Sequence, residues 1–257
     1  VVEAVTIDLA IAPAIARSAD HFYTYEGERY PGVTGILQVL GANFSVAARY
    51  GAKQAATVAA DLVDSGTIFD LWQAQKRDGF IAGMTASAVN HRNEAAALGT
   101  DVHAMAELVV RGEPTPAMNE TTRARVLHYA AWWEASGWTL RLAEAMVVFP
   151  THRYGGTFDL LAYDRDGKTV LADVKTGKGV YKEVALQLAA YSLAPIVAPT
   201  GSPKAYPMPK VDRHVVLHVT TEGVREVEIA VGTAEHMAWL ACIDLHSWAE
   251  SMKGKKF

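Results

Sequence analysis

One cysteine, Cys242, stands in 257 residues. An intrachain disulfide framework, a cysteine-based zinc site and a four-cysteine iron–sulfur cluster each need several sulfurs from the chain, so all are excluded. Any metal must be held by oxygen and imidazole. Long apolar runs are missing as well: charged or turn residues break each hydrophobic stretch short of the roughly 18 residues that span a bilayer. The N-terminus lacks the basic-then-apolar layout of a signal peptide, so the expectation is a cytoplasmic protein with no membrane partner. A large excess of charge is absent too. A net charge of -4 argues mildly against a basic surface that coats nucleic acid, yet allows a narrow cleft with a positive floor.

What is present is the material of a core. Hydrophobic residues make up 50% of the chain, with six Trp and ten Tyr, far from the aromatic-poor signature of disorder. The first third reads as mostly helical. A short hairpin is expected around His21–Tyr25 and Arg29–Tyr30, followed after Pro31-Gly32 by helical spacing in Val33, Ile36, Leu37 and Leu40. Ala-rich helical segments follow over Val46–Leu62, Ile68–Arg77 and Ser87–Arg111, the last stopped by Gly112 and Pro114. Another helix is predicted over Thr121–Ser136, ended by Gly137.

The pattern then shifts to strands rich in Val, Leu, Phe and Tyr: Leu142–Pro150, Tyr154–Tyr163 and Thr169–Lys175. A helix over Tyr181–Ala194 stops at Pro195. Ala198–Lys210 carries Pro199, Pro203, Pro207 and Pro209 and reads as a surface loop. Strands Arg213–Thr220 and Val224–Ala230 and a helix over Thr233–Glu250 close the chain. This order predicts a mixed α/β core with a helical N-terminal region packed on it.

The densest chemistry lies between Tyr154 and Gly177. Arg165-Asp166-Gly167 suits a three-residue hairpin loop with Gly in the left-handed region. Setting Asp164 opposite Lys168 makes the numbers of facing residues sum to a constant, and the same sum places Asp159 opposite Asp173. Like charges so placed are destabilising unless compensated, and the strands around them are otherwise apolar. A divalent cation is the simplest compensation, with Mg²⁺ or Mn²⁺ suited to hard oxygen ligands. Lys175 falls on the same face as Asp173 by the period of two. On spacing alone a second reading stays open, in which both acids are strand-end groups solvated at a sheet edge and Lys175 is a surface partner. On the following helix Glu183, Gln187 and Tyr191, four apart, form a polar stripe among apolar residues. Such a stripe needs partners, which a site or a core network would equally supply.

Gly156-Thr157-Phe158-Asp159, then Asp173-Val174-Lys175-Thr176-Gly177, then Gln187-x-x-x-Tyr191 together resemble motifs of the PD-(D/E)XK nuclease superfamily. The Gln-x-x-x-Tyr element is similar to that of its RecB-like branch, and Gly99-Thr100-Asp101-Val102-His103 resembles the upstream histidine of that branch. Tyr30-Pro31-Gly32-Val33-Thr34-Gly35 also resembles the opening of compact phage RecB-like exonucleases. The resemblance implies a restriction-endonuclease-like α/β core, a mixed central sheet flanked by helices, over 86–257 of a single domain, with 1–85 as the helical N-terminal region. It implies His103, Asp159, Asp173 and the carbonyl of Val174 as metal ligands and Lys175 as the catalytic lysine. Gln187 and Tyr191 would position a DNA strand. Lys175, Lys178 and Lys182, with Arg153 nearby, would line its path, and the tail Lys253-Gly254-Lys255-Lys256 reads as a solvated basic end in preference to a further phosphate contact. Glu107, one turn beyond His103, has two readings, a support for the metal directly or through water and, preferred, a surface acid. Lone histidines such as His128, His214 and His218 read as core or surface residues.

The activity so implied is Mg²⁺- or Mn²⁺-dependent hydrolysis of phosphodiesters at DNA ends, in phage or bacterial DNA processing, by a type without the iron–sulfur cluster. The alternatives are a non-cutting DNA-binding or recombination-partner module of the same fold, and a hydrolase of another phosphate ester. Nothing in the sequence names a protein partner.

Overall fold

The computed structural model describes residues 14–41, 53 and 55–255. The predicted helix over Val46–Leu62 and the tail lysine Lys256 therefore lie partly or wholly outside the described residues. By contacts the chain divides into two compact units, Val1–Val39 with Asp101–Phe257, and Leu40–Thr100.

The first unit begins with a three-stranded antiparallel sheet, β1 (Ala16–Arg17), β2 (Tyr23–Tyr25) and β3 (Glu28–Tyr30), which contains the expected hairpin. A short helix, α1 (Val33–Ile36), and a 3₁₀ turn (Leu37–Leu40) follow. The second unit contains α2 (55–64) and most of α3 (Ile68–Arg111). Two separate helices were expected where α3 runs unbroken for 44 residues. Gly79 and Gly83 cost a helix about 1 kcal/mol each but leave every N–H in place, and no proline intervenes between Pro31 and Pro114 to end it.

The last turns of α3 return to the first unit, where α4 (Glu120–Ser136) is next. Asn119 caps α4, its side chain accepting from the Thr122 N–H at 2.9 Å, and Gly137 ends it at φ 68°. Seven strands then build one mixed sheet. They are β4 (Thr139–Phe149), β5 (Tyr154–Tyr163), β6 (Thr169–Lys175), β7 (Ile196–Pro199), β8 (Tyr206–Pro207), β9 (Arg213–Val219) and β10 (Val224–Glu228). Their order across the sheet is β10-β9-β6-β5-β4-β7-β8, parallel between β6 and β9 and antiparallel elsewhere. Two helices complete the unit, α5 (Glu183–Leu193) between β6 and β7, and α6 (Thr233–Met252) at the end.

The expected loop over Ala198–Lys210 is corrected by β7 and β8. Each carries a proline as its last residue; β8 is the edge strand and β7 lies next to it, paired with β4 and β8, so each missing N–H falls at a strand end. Ala198 and Ala205 are fully buried there.

The core sits where α5 and α6 cover the sheet: Val184, Leu188, Tyr191 and Trp239 pack with Ala145, Phe158, Leu161, Leu171 and Val216. The architecture is thus mixed α/β, a seven-stranded sheet flanked by helices. Among the described residues no helix is long and apolar enough to cross a membrane.

Candidate functional site

The β5–β6 hairpin closes as its turn residues demand. Asp164 N–H donates to the Lys168 carbonyl at 3.0 Å, and Gly167 takes φ 76°. The ladder follows the expected register in four pairs, from Tyr163 with Thr169 to Leu160 with Ala172. It stops one step before Asp159 and Asp173. There the Val174 N–H donates instead to the Asp159 side chain, Oδ2 at 2.6 Å. The predicted face-to-face pair is therefore replaced by two neighbouring acids, each with its own partners.

The reason lies in β4, which pairs Ala143 with Leu160 and Ala145 with Phe158 but leaves Glu144 and Asp159 between them out of the ladder. Glu144 sits at φ 48°, a left-handed conformation rare in a strand. His103, from α3, brings Nδ1 to 3.3 Å from Asp159 Oδ1. His103, Glu144 and Asp159 each offer a ligand atom, all within 4.8 Å of one another. One imidazole and two carboxylates are a donor set that fits a divalent cation. A pocket holds these three residues together with Glu107, Tyr129 and Val174.

Charge in this pocket is strongly perturbed. Burial alone would lower the His103 pKa, but Asp159 beside it and the more distant Asp173 raise it to about 9. Burial would raise Asp159, yet His103 and Lys175 hold it below the usual carboxylate range. Burial, with Asp159 and Glu107 close by, pushes Glu144 up to about 7. Glu107 was read as a surface acid. It is partly buried at the pocket wall and tied to Arg111 at 2.8 Å, and Arg111 Nη2 also donates to the Ala143 carbonyl at 3.0 Å, fastening α3 to β4.

Asp173 is only 2% exposed. Lys175 Nζ lies 2.6 Å from its Oδ2, and Gln187 Nε2, from α5, donates to its Oδ1 at 3.0 Å. The shared face of Asp173 and Lys175, inferred from the strand period, is thus realised. Burial pushes Asp173 up to about 6 against the pull of Lys175, whose own pKa the two carboxylates raise despite burial. Gln187 also donates to the Tyr191 hydroxyl at 3.0 Å, so two residues of the polar stripe on α5, Gln187 and Tyr191, are linked to Asp173.

Tyr191 itself is 2% exposed, its ring lies over Gly156, and its hydroxyl accepts from Gln187. Asp173 is outside the three-residue donor group among the described residues, and Val174 enters the site through its N–H. Lys178 and Lys182 are exposed just before α5. Arg153 pairs with Glu28 at 3.2 Å and stacks over Tyr30. His218 Nε2–H donates to the Gly177 carbonyl at 2.7 Å, and His128 Nε2–H to the Thr221 carbonyl at 3.1 Å, as structural histidines do. Glu144 is the residue sequence reasoning missed. Its only signal is a lone acid between two alanines in an apolar strand, which reads as an ordinary solvated position.

No family model matches the chain, and no curated protein matches it. Among solved structures, one titled "Crystal structure of SSO0001" matches 52% of this chain at a TM-score of 0.31 and 14% identity, and the match spans 61% of that protein, less than two thirds of its length.

Proposed function

We propose that this chain is a metal-dependent deoxyribonuclease of the PD-(D/E)XK type, RecB-like branch, that hydrolyses phosphodiesters at DNA ends. The observation that carries the reading is convergence. Asp159 with His103, and Asp173 with Lys175 and Gln187, come from four elements to two adjoining strands, in the order and spacing of that family's motifs. The two acids are paired with a histidine and a lysine, and a cluster of titratable groups perturbed in this way supports reading the place as a functional site.

His103 and Asp159 would hold the cation, Mg²⁺ or Mn²⁺, with Asp173 beside them. A bound cation supplies Lewis acidity toward a phosphate oxygen and toward water. Lys175 holds its ammonium at Asp173, where it would stabilise negative charge growing on the phosphate. Gln187, anchored on Tyr191, keeps the Asp173 carboxylate in one orientation. The exposed Lys178 and Lys182 would meet the backbone of the DNA strand while the rest of the surface stays acidic. With a single cysteine, the enzyme would belong to the cluster-free type.

The test offers purified protein, with Mg²⁺ or Mn²⁺, linear and covalently closed DNA, single and double stranded. Linear ends should be degraded, and Asp173→Ala and Lys175→Ala should abolish it. Intact DNA under every condition would overturn the deoxyribonuclease reading and leave the non-cutting module and the hydrolase of another phosphate ester. Equal attack on closed circles would overturn the exonuclease assignment, and cleavage by both variants would overturn the site.

A further inference from the structure

The geometry points to Glu144 as a protein ligand of the cation held by His103 and Asp159, a role that neither motif spacing nor family resemblance assigns. This inference rests on the metal-dependent reading above and specifies its coordination.

Three independent features meet at Glu144. The first is position: its carboxylate, one Asp159 oxygen and the His103 nitrogen lie within 4.8 Å of one another, while Asp173 does not join that group. The second is the backbone. β4 and β5 pair on either side of Glu144 and Asp159, yet both residues leave the ladder at the same level, and Glu144 takes φ 48°. A glutamate in that conformation persists only where its surroundings impose it. Arg111 holds the carbonyl of Ala143 just before it, and the Thr200 hydroxyl donates to the carbonyl of Glu144 itself. The turn of the chain is thus clamped from α3 and from the end of β7.

The third feature is charge. Among the described residues no lysine or arginine forms an ion pair with the Glu144 carboxylate, although Asp159 and Glu107 share its pocket. By contrast, the Asp173 carboxylate is already met by Lys175 and Gln187. Asp159 is met by His103 and Glu107 by Arg111, so Glu144 is the acid of this pocket whose carboxylate has no ion pair among the described residues, and a bound cation would supply one. The division of labour follows: His103, Asp159 and Glu144 hold the ion, and Asp173 stands next to it, oriented for Lys175.

The full chain is titrated with Mn²⁺ alone, without DNA, by calorimetry. Glu144→Gln should bind at least about 10-fold more weakly than wild type, as should Asp159→Asn, with unchanged melting temperature in the absence of metal. Glu144→Asn, a residue that accepts positive φ, is the second variant and should behave alike. Wild-type affinity in both Glu144 variants, beside loss in Asp159→Asn, overturns this inference and leaves the metal-dependent reading standing. Anomalous scattering from wild-type crystals soaked in Mn²⁺ decides even where a variant fails to fold. An ion within about 2.6 Å of a Glu144 oxygen supports the assignment, and an ion on His103, Asp159 and Asp173 with Glu144 remote overturns it. Wild type that binds no Mn²⁺ overturns both readings together.

Discussion

Gly156 has no side chain at the point where the Tyr191 ring crosses the sheet. A Cβ there would stand 2.5 Å from Tyr191 Cε1 and 3.1 Å from Val33 Cγ2, inside contact distance. Gly156→Ala should therefore cost about 1–3 kcal/mol, read from urea denaturation, as overpacked cores do. Because Tyr191 holds Gln187, and Gln187 holds Asp173, the same change should also slow DNA cleavage. Lys175 makes a different prediction. Removing its ammonium in Lys175→Met leaves Asp173 buried without its cation, so the carboxyl, already at about 6, rises further. Cleavage should fall by about 100-fold or more, with Mn²⁺ still bound. Cleavage kinetics beside a Mn²⁺ titration check this, and loss of the metal would make the lysine a positioning residue of the site. The acids and lysine of β5 and β6 stood out in the sequence by the hairpin register and the strand period, and His103 by a resemblance between motifs. Glu144 did not, because its partners lie 15 and 41 positions away and a local turn of the backbone aims it.

Elements were legible wherever local chemistry dictates them. The end of α4 is an instance: Gly137 takes the left-handed conformation, and the turn residue Arg165 donates to the carbonyls of Ser136 and Ala135 at 2.6 and 2.7 Å. The β5–β6 hairpin thereby caps the helix before it. Arg165→Ala should lower stability by about 1–2 kcal/mol in thermal or urea unfolding, without moving Mn²⁺ affinity. Elsewhere propensity misled. Four prolines made Ala198–Lys210 look like a loop, but β7 finds a paired neighbour in β4, and that neighbour is some 50 residues away. The glycines of α3 looked like a break, but a helix interior survives glycine when no proline removes a hydrogen bond.

For the molecule as a whole, pH is a sharper probe than net charge. His214 on β9 has a buried Nε2 without a hydrogen-bond partner, and burial with His236 nearby lowers its pKa to about 4, Glu228 opposing. Between that value and its unfolded value of about 6.5 the unfolded chain binds more protons, so this group makes stability fall as pH drops through that window. Asp173, raised to about 6, works in the opposite sense over the same range. Urea midpoints at pH 7 and 5 should therefore show a smaller acid-side loss in His214→Leu than in wild type, and an equal loss would remove His214 as the cause. What the sequence alone determined was the α/β class, the β5–β6 hairpin with the register of its ladder, and the glycine stops of α3 and α4. These follow from periodicities, turn residues and offsets of a few positions. Tertiary structure decided that the ladder opens at Asp159, that Glu144 turns in toward His103, that Tyr191 is buried behind Gln187, and that proline-bearing segments complete the sheet edge. Each of those depends on which distant strand or helix packs against which, and pairing across tens of residues is set by burial and hydrogen-bond closure of the whole fold, which no local pattern encodes.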